Sequence, residues 1–143
     1  MIDVSCREVR LRDAIELFYF AYRAFTAEPD SIVAAEGLGR AHHRILYFVA
    51  RRPDVTVNAL LEVLAVSKQA LNGPLRRLIE GQWIAIRQDE QDRRYKRLRL
   101  TDRGVKLEAR LTGAQMKHLA SAFARAGSTA EDVWKGVMEA IRG

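Results

Sequence analysis

The chain has 143 residues, 48% of them hydrophobic and 29% charged, ordinary values for one globular domain with a real core, which exclude a disordered chain. No apolar run approaches the roughly 18 residues of a membrane helix, the charged opening MIDVSCREVRLRD does not read as a secretory signal, and Cys6 has no second cysteine to pair with, so a cytoplasmic protein without intramolecular disulfides is expected. The net charge of +6 is uneven, with −3 over residues 1–39, +7 over 40–104 and +2 over 105–143, and a basic middle favours an anionic partner, most simply nucleic acid.

Ser5-Cys6-Arg7-Glu8 fits a capping box that opens a helix. Val4, Leu11, Ile15, Phe18, Tyr22 and Phe25 line one face of it, widened by Leu17, Phe20 and Ala21 into a stripe too broad for a solvated helix. Pro29 disfavours helical geometry at Glu28, so this helix is expected to end near Thr26 or Ala27. After a loop with Gly37 and Gly39, Ala41, Ile45, Phe48 and Val49 share one face of a second helix over residues 40–52, stopped by Pro53. Thr56 then caps a short third helix through Leu60, Leu61 and Leu64, and Ser67 caps a fourth running to about Gly81. Only Ala65 and Val66 separate the two, the sequence form of a helix-turn-helix.

From Trp83 the apolar period changes to 2, with Ile84 and Ile86 in one strand and Leu98 and Leu100 in the next. The polar loop from Gln88 to Arg94 is too long for a two-residue turn and projects as a wing. The apolar face of the hairpin is expected to pack on the helices, leaving Arg87, Arg97 and Arg99 outside. Thr101 caps a long fifth helix ending near Ala126-Gly127, and Ser128-Thr129-Ala130-Glu131 reads as a second capping box. The sixth helix that it opens carries Val133, Trp134, Val137, Met138 and Ile141, and at about 13 residues it must pack on something. The expected fold is mainly α, a winged helix-turn-helix with a two-stranded β-hairpin wing between terminal helices.

This order resembles the MarR (multiple-antibiotic-resistance regulator) family of bacterial transcription factors. The most specific part is the run from Asp92 to Gly104, DRRYKRLRLTDRG, similar to the family's wing pattern of D-x-R, an alternating strand, then L-T-x-x-G. Thr56 to Leu60 and Val66 to Leu71 are also similar to the family. The resemblance implies a homodimer held by residues 1–37 and 102–143, with 38–101 as the DNA-binding region, each subunit reading half of an inverted-repeat operator in double-stranded DNA.

The resemblance also implies roles for residues. Arg94 would enter the minor groove, where a narrow A/T-rich groove attracts guanidinium, and Asp92 would hold it. Arg93, Lys96 and Arg97 would neutralise phosphates. Lys68, Gln69 and Asn72 suit the major groove, Ser67 a phosphate, and at least one of Arg76 and Arg77 a phosphate. Gly73-Pro74 departs from the family's pattern, and Pro74 is expected to bend the recognition helix. Relatives often bind a small aromatic or anionic effector, and Tyr19, Tyr22, His42, His43 and Tyr47 could line such a cleft, although packing is the plainer reading of aromatics at helical spacing. The histidines have no metal-ligand spacing, no cofactor motif is present, Cys6 has no resolving partner for redox sensing, and no catalytic constellation supports an enzyme. The alternative to DNA binding is a winged-helix protein-interaction module, against which the arginines of the wing count.

Overall fold

The computed structural model describes residues 4–143, with the side chain of Val4 outside the described residues. Helix α1 (Val4–Ala35) contains Ser5 within it and runs straight past the stop expected at Thr26 or Ala27. Pro29 costs α1 a hydrogen bond to the carbonyl of Phe25, but tertiary contacts on both sides outweigh that loss. Pro29 is buried, Arg40 Nε donates to Asp30 Oδ2 at 2.7 Å, and Arg40 Nη2 donates to Thr26 Oγ1 at 3.2 Å.

Helix α2 (Arg40–Arg51) buries Ile45, Leu46 and Val49. A two-residue strand β1 (Val55–Thr56), which the sequence reading did not contain, leads into α3 (Val57–Leu64). Thr56 Oγ1 accepts from the Ala59 amide at 3.1 Å, as a cap should. Ala65, at φ 54°, turns the chain into α4 (Lys68–Glu80), where Ser67 Oγ accepts from the Ala70 amide at 3.1 Å. Helix α4 is unbroken through Gly73 and Pro74.

The wing strands are β2 (Ile84–Gln88) and β3 (Lys96–Leu100). The sheet is antiparallel in the order β1-β3-β2, so the expected hairpin is one side of a three-stranded sheet. Ile84 and Leu98 are buried, but Ile86, expected inward, is 38% exposed because it faces the groove beside α4.

Thr101 caps α5 (Asp102–Ala126) through the Gly104 amide at 3.1 Å. The last helix, α6 (Ala130–Arg142), starts from Thr129 with no side-chain cap, one residue after the expected Ser128. The Gly127 carbonyl, in a turn at φ 121°, accepts from the Ala130 amide at 3.1 Å, so a backbone turn leads into α6 in place of the expected capping box.

One core gathers Leu46, Leu60, Leu78 and Leu98 with Val33 of α1 and Leu107 and Leu111 of α5, joining the winged helix to the long helices. Further out, α1 and the last helix α6 are bare. Ile15 is 69% and Ile141 64% exposed, and α6 buries none of its residues. Among the described residues, no helix is long and apolar enough to cross a membrane.

Candidate nucleic-acid interface

A groove of about 570 Å³ lies between α4 and the wing. Lys68, Asn72 and Arg76, at helical spacings of four, line one wall, and Arg94 and Lys96 line the other. Leu75, Ile79 and Ile86 contribute apolar surface. Five residues read from the sequence as DNA contacts therefore meet in one concavity. Ser67 and Gln69, at the start of α4, and Arg93, on the wing, are exposed outside the groove lining.

Arg77 is not part of this surface. Its guanidinium lies 5.3 Å from the centre of the Trp83 ring, a packing role on a side chain buried to 2% exposure. Arg97 is also engaged within the protein. It donates to Asp89 Oδ2 from Nε at 2.9 Å and Nη2 at 2.7 Å, and to the Asp54 carbonyl from Nη1 at 2.9 Å. The outward arginine expected there is tied into the base of the wing.

Arg94 stands at the wing tip with its side chain 83% exposed. Its Nε donates to Asp92 Oδ1 at 3.0 Å and its Nη2 to Oδ2 at 2.8 Å, a fork that fixes the guanidinium plane. The Arg94 amide also donates to Asp92 Oδ1 at 3.1 Å. These bonds from Arg94, side chain first and backbone second, hold the Asp92 carboxyl below the usual carboxylate range. The D-x-R pattern thus builds a turn that presents one arginine. Sequence reasoning missed Tyr95, Asn58 and Glu80, which also line the groove. The Tyr95 ring lies 5.9 Å from the Arg94 guanidinium, and its place beside Arg94 in the motif was the available signal.

A second cleft, of about 360 Å³, lies among α1, α2 and α5. Tyr22, His43 and Tyr47 line it with Phe25, Arg40, Arg44 and Met116, whereas Tyr19 and His42 do not. Tyr19 is exposed on α1 beside Phe20, ring centres 5.5 Å apart. His42 Nδ1 accepts from the Gly39 amide at 2.9 Å, and so completes the start of α2. Burial holds the imidazole of His43 below the usual histidine range. The Thr112 hydroxyl in the cleft wall is buried with no hydrogen-bond partner. Among the described residues, no three His, Cys, Asp or Glu side chains are grouped to hold a metal ion.

Residues 36–94 match the model of the MarR family. The chain is 42% identical over 132 residues to the HTH-type transcriptional regulator PetP of Rhodobacter capsulatus, covering 92% of this chain and 80% of that protein. Staphylococcus aureus MarR in complex with salicylate and kanamycin has the same fold, with a TM-score of 0.77 at 21% identity over 96% of this chain and 93% of that one. Streptococcus pneumoniae FabT in complex with DNA gives 0.75 at 20% identity, over 93% of this chain and 95% of that one.

Proposed function

The chain belongs to the MarR family, and from that premise we propose that it is a dimeric, sequence-specific regulator of transcription that acts as a repressor. The observation that carries this reading is the groove in which Lys68, Asn72 and Arg76 of α4 face Arg94 and Lys96 of the wing. Helix α4 enters the major groove, where Asn72 suits adenine and Lys68 guanine or phosphate. Arg94 enters the adjacent minor groove at A·T steps, and Lys96, Arg93 and Arg76 neutralise phosphates. The FabT structure was solved with DNA, which supports this use of the fold.

The bare apolar faces of α1 and α6 pair with those of a second copy. Exposed apolar surface on that scale marks an interface, and two-fold pairing makes the dimer closed. The two recognition helices then stand about 34 Å apart and read half-sites about 10 base pairs apart. Residues 38–101 form the reading unit and the terminal helices the dimer unit.

The cleft among α1, α2 and α5 binds a small aromatic anion that releases the DNA. Arg44 supplies positive charge beside the Arg40–Asp30 ion pair, and Tyr22, Tyr47 and Phe25 supply aromatic surface. The S. aureus neighbour was solved with salicylate. Because Val33 and Leu107 share the core of the winged helix, a ligand that shifts α1 against α5 changes the spacing of the reading helices.

Selection of bound duplexes from a random pool tests the reading. An inverted repeat with half-site centres about 10 base pairs apart is expected. A pool that never converges, while a partner protein is captured through the wing, is the outcome of a protein-interaction module.

A further inference from the structure

The wing carries a charge arrangement that two strands do not tolerate alone. Arg87 stands directly opposite Arg97, and Arg99 lies two residues further along on the same face. Like charges opposite one another push strands apart, and on its other side β3 is paired only with the two-residue β1. One residue outside the wing meets all three. The Asp54 carboxylate accepts from Arg99 Nη2 at 2.6 Å and lies 3.4 Å from Arg87 Nη2. The Asp54 carbonyl accepts from Arg97 Nη1 at 2.9 Å. The same Arg97 is gripped from the wing loop by Asp89, whose Oδ1 accepts from the Gln91 amide at 2.9 Å.

Asp54 does this from a left-handed backbone, φ 64°, a conformation that costs a non-glycine residue and persists where the surroundings demand it. An isolated surface ion pair contributes little. Three arginines from two strands converging on a residue of the turn between α2 and β1 form a brace, which reaches through Asp89 toward the loop that carries Arg94.

We propose that Asp54 is the residue that positions the wing on DNA. By holding Arg87, Arg97 and Arg99 it fixes the angle of the hairpin to α4, so that Arg94 meets the minor groove while Lys68 and Asn72 face the major groove. It also keeps Arg87 and Arg99 from binding phosphates wherever DNA is met. Asp54 therefore acts on discrimination between sequences, in contrast to a phosphate-binding lysine. The proposal rests on the reading of Arg94 given above.

The test is fluorescence anisotropy at matched salt with the duplex selected by the wild-type protein and a scrambled duplex of the same composition. Asp54→Asn removes the carboxylate charge. Asp54→Gly removes the carboxylate but relieves the left-handed strain and keeps the carbonyl used by Arg97, so it tests the brace even where the asparagine variant folds poorly. In both, the preference for the selected duplex falls about 10-fold or more, while affinity for the scrambled duplex is unchanged or tighter and its salt dependence steeper, because freed arginines reach phosphates. In an Arg94→Ala background, Asp54→Gly costs less than about 2-fold further on the selected duplex, since both act through one contact. Equal losses on both duplexes, or losses that multiply in the double variant, overturn the proposal. Wild-type affinity in Arg94→Ala alone overturns the minor-groove reading and the proposal with it.

Discussion

Gly104 passes so close to Trp83 that a methyl group on its Cα would lie 2.0 Å from the Trp83 carbonyl oxygen. That oxygen already accepts from the Thr101 amide at 3.1 Å, while the Thr101 hydroxyl donates to the neighbouring Gln82 carbonyl at 2.6 Å and caps the Gly104 amide. The T-x-x-G signature is thus a joint between the start of α5 and the start of the wing. Gly104→Ala should destabilise the fold by about 2–3 kcal/mol, as overpacking against backbone does. A lowered urea midpoint with unchanged slope is expected, and an unchanged midpoint would mean that α5 can slide on Trp83.

Arg94→Ala removes a side chain that touches only its own turn. Stability should change by less than about 0.5 kcal/mol and the dimer should persist in sedimentation, while operator affinity falls at least about 10-fold. Unchanged affinity would contradict the minor-groove role.

Lys68 and Arg76 line the groove, and Arg77 lies over Trp83. Replacing Lys68 or Arg76 by alanine should lower the slope of log affinity against log salt by about one each. Arg77→Ala should leave that slope unchanged and lower the thermal midpoint instead. A reduced slope in Arg77→Ala would move the interface to the other side of α4.

His42 makes stability depend on pH. Burial first, and the charge of Arg77 second, hold its imidazole below the ordinary histidine value of 6.5, and Nδ1 must stay unprotonated to accept from the Gly39 amide. The unfolded chain takes up this proton at a higher pH than the folded one, so stability is full above about 6.5 and falls as pH drops from there toward the folded value. Burial moves His43 in the same direction. Asp54, Asp89 and Asp92 are lowered from 3.8 by hydrogen bonds to their charged form, so their contribution is present above that pH and lost below it. His42→Asn, whose Oδ1 can take the same amide bond, should flatten part of the fall in thermal midpoint between about pH 7 and 5. A fall as steep as the wild type's would show that His42 does not titrate in this window.

Val137 and Ile141 are exposed on α6, at 50% and 64%. Val137→Glu should convert the dimer to monomer in sedimentation and abolish operator binding with it, because an unpaired charge in an apolar interface is costly. A stable dimer of this variant would place the interface elsewhere.

The parts of this structure that were legible in the sequence are those decided within a few residues. Thr56, Ser67 and Thr101 each accept the amide three residues on, and the alternation of Ile84 and Ile86 with Ala85 and Arg87 set the strand. Helix α1 was misjudged at Pro29 because the contacts that carry it onward come from Arg40, across a loop. Strand β1 has two residues, too few for any period. Arg76 and Arg77 differ by one position, about 100° of helix, and only the packing of Trp83 decides which faces the groove. The same holds for His43 in the cleft and His42 at the Gly39 amide, and for Arg97, whose partners Asp54 and Asp89 lie 43 and 8 residues away.

The most direct test of the central claim is the affinity of the wild-type protein for its selected inverted repeat and for a scrambled duplex, measured side by side at two salt concentrations. Binding to both should weaken with salt, and the repeat should remain at least about 10³-fold tighter at matched salt. Equal affinity for the two duplexes would contradict sequence-specific recognition by α4 and the wing.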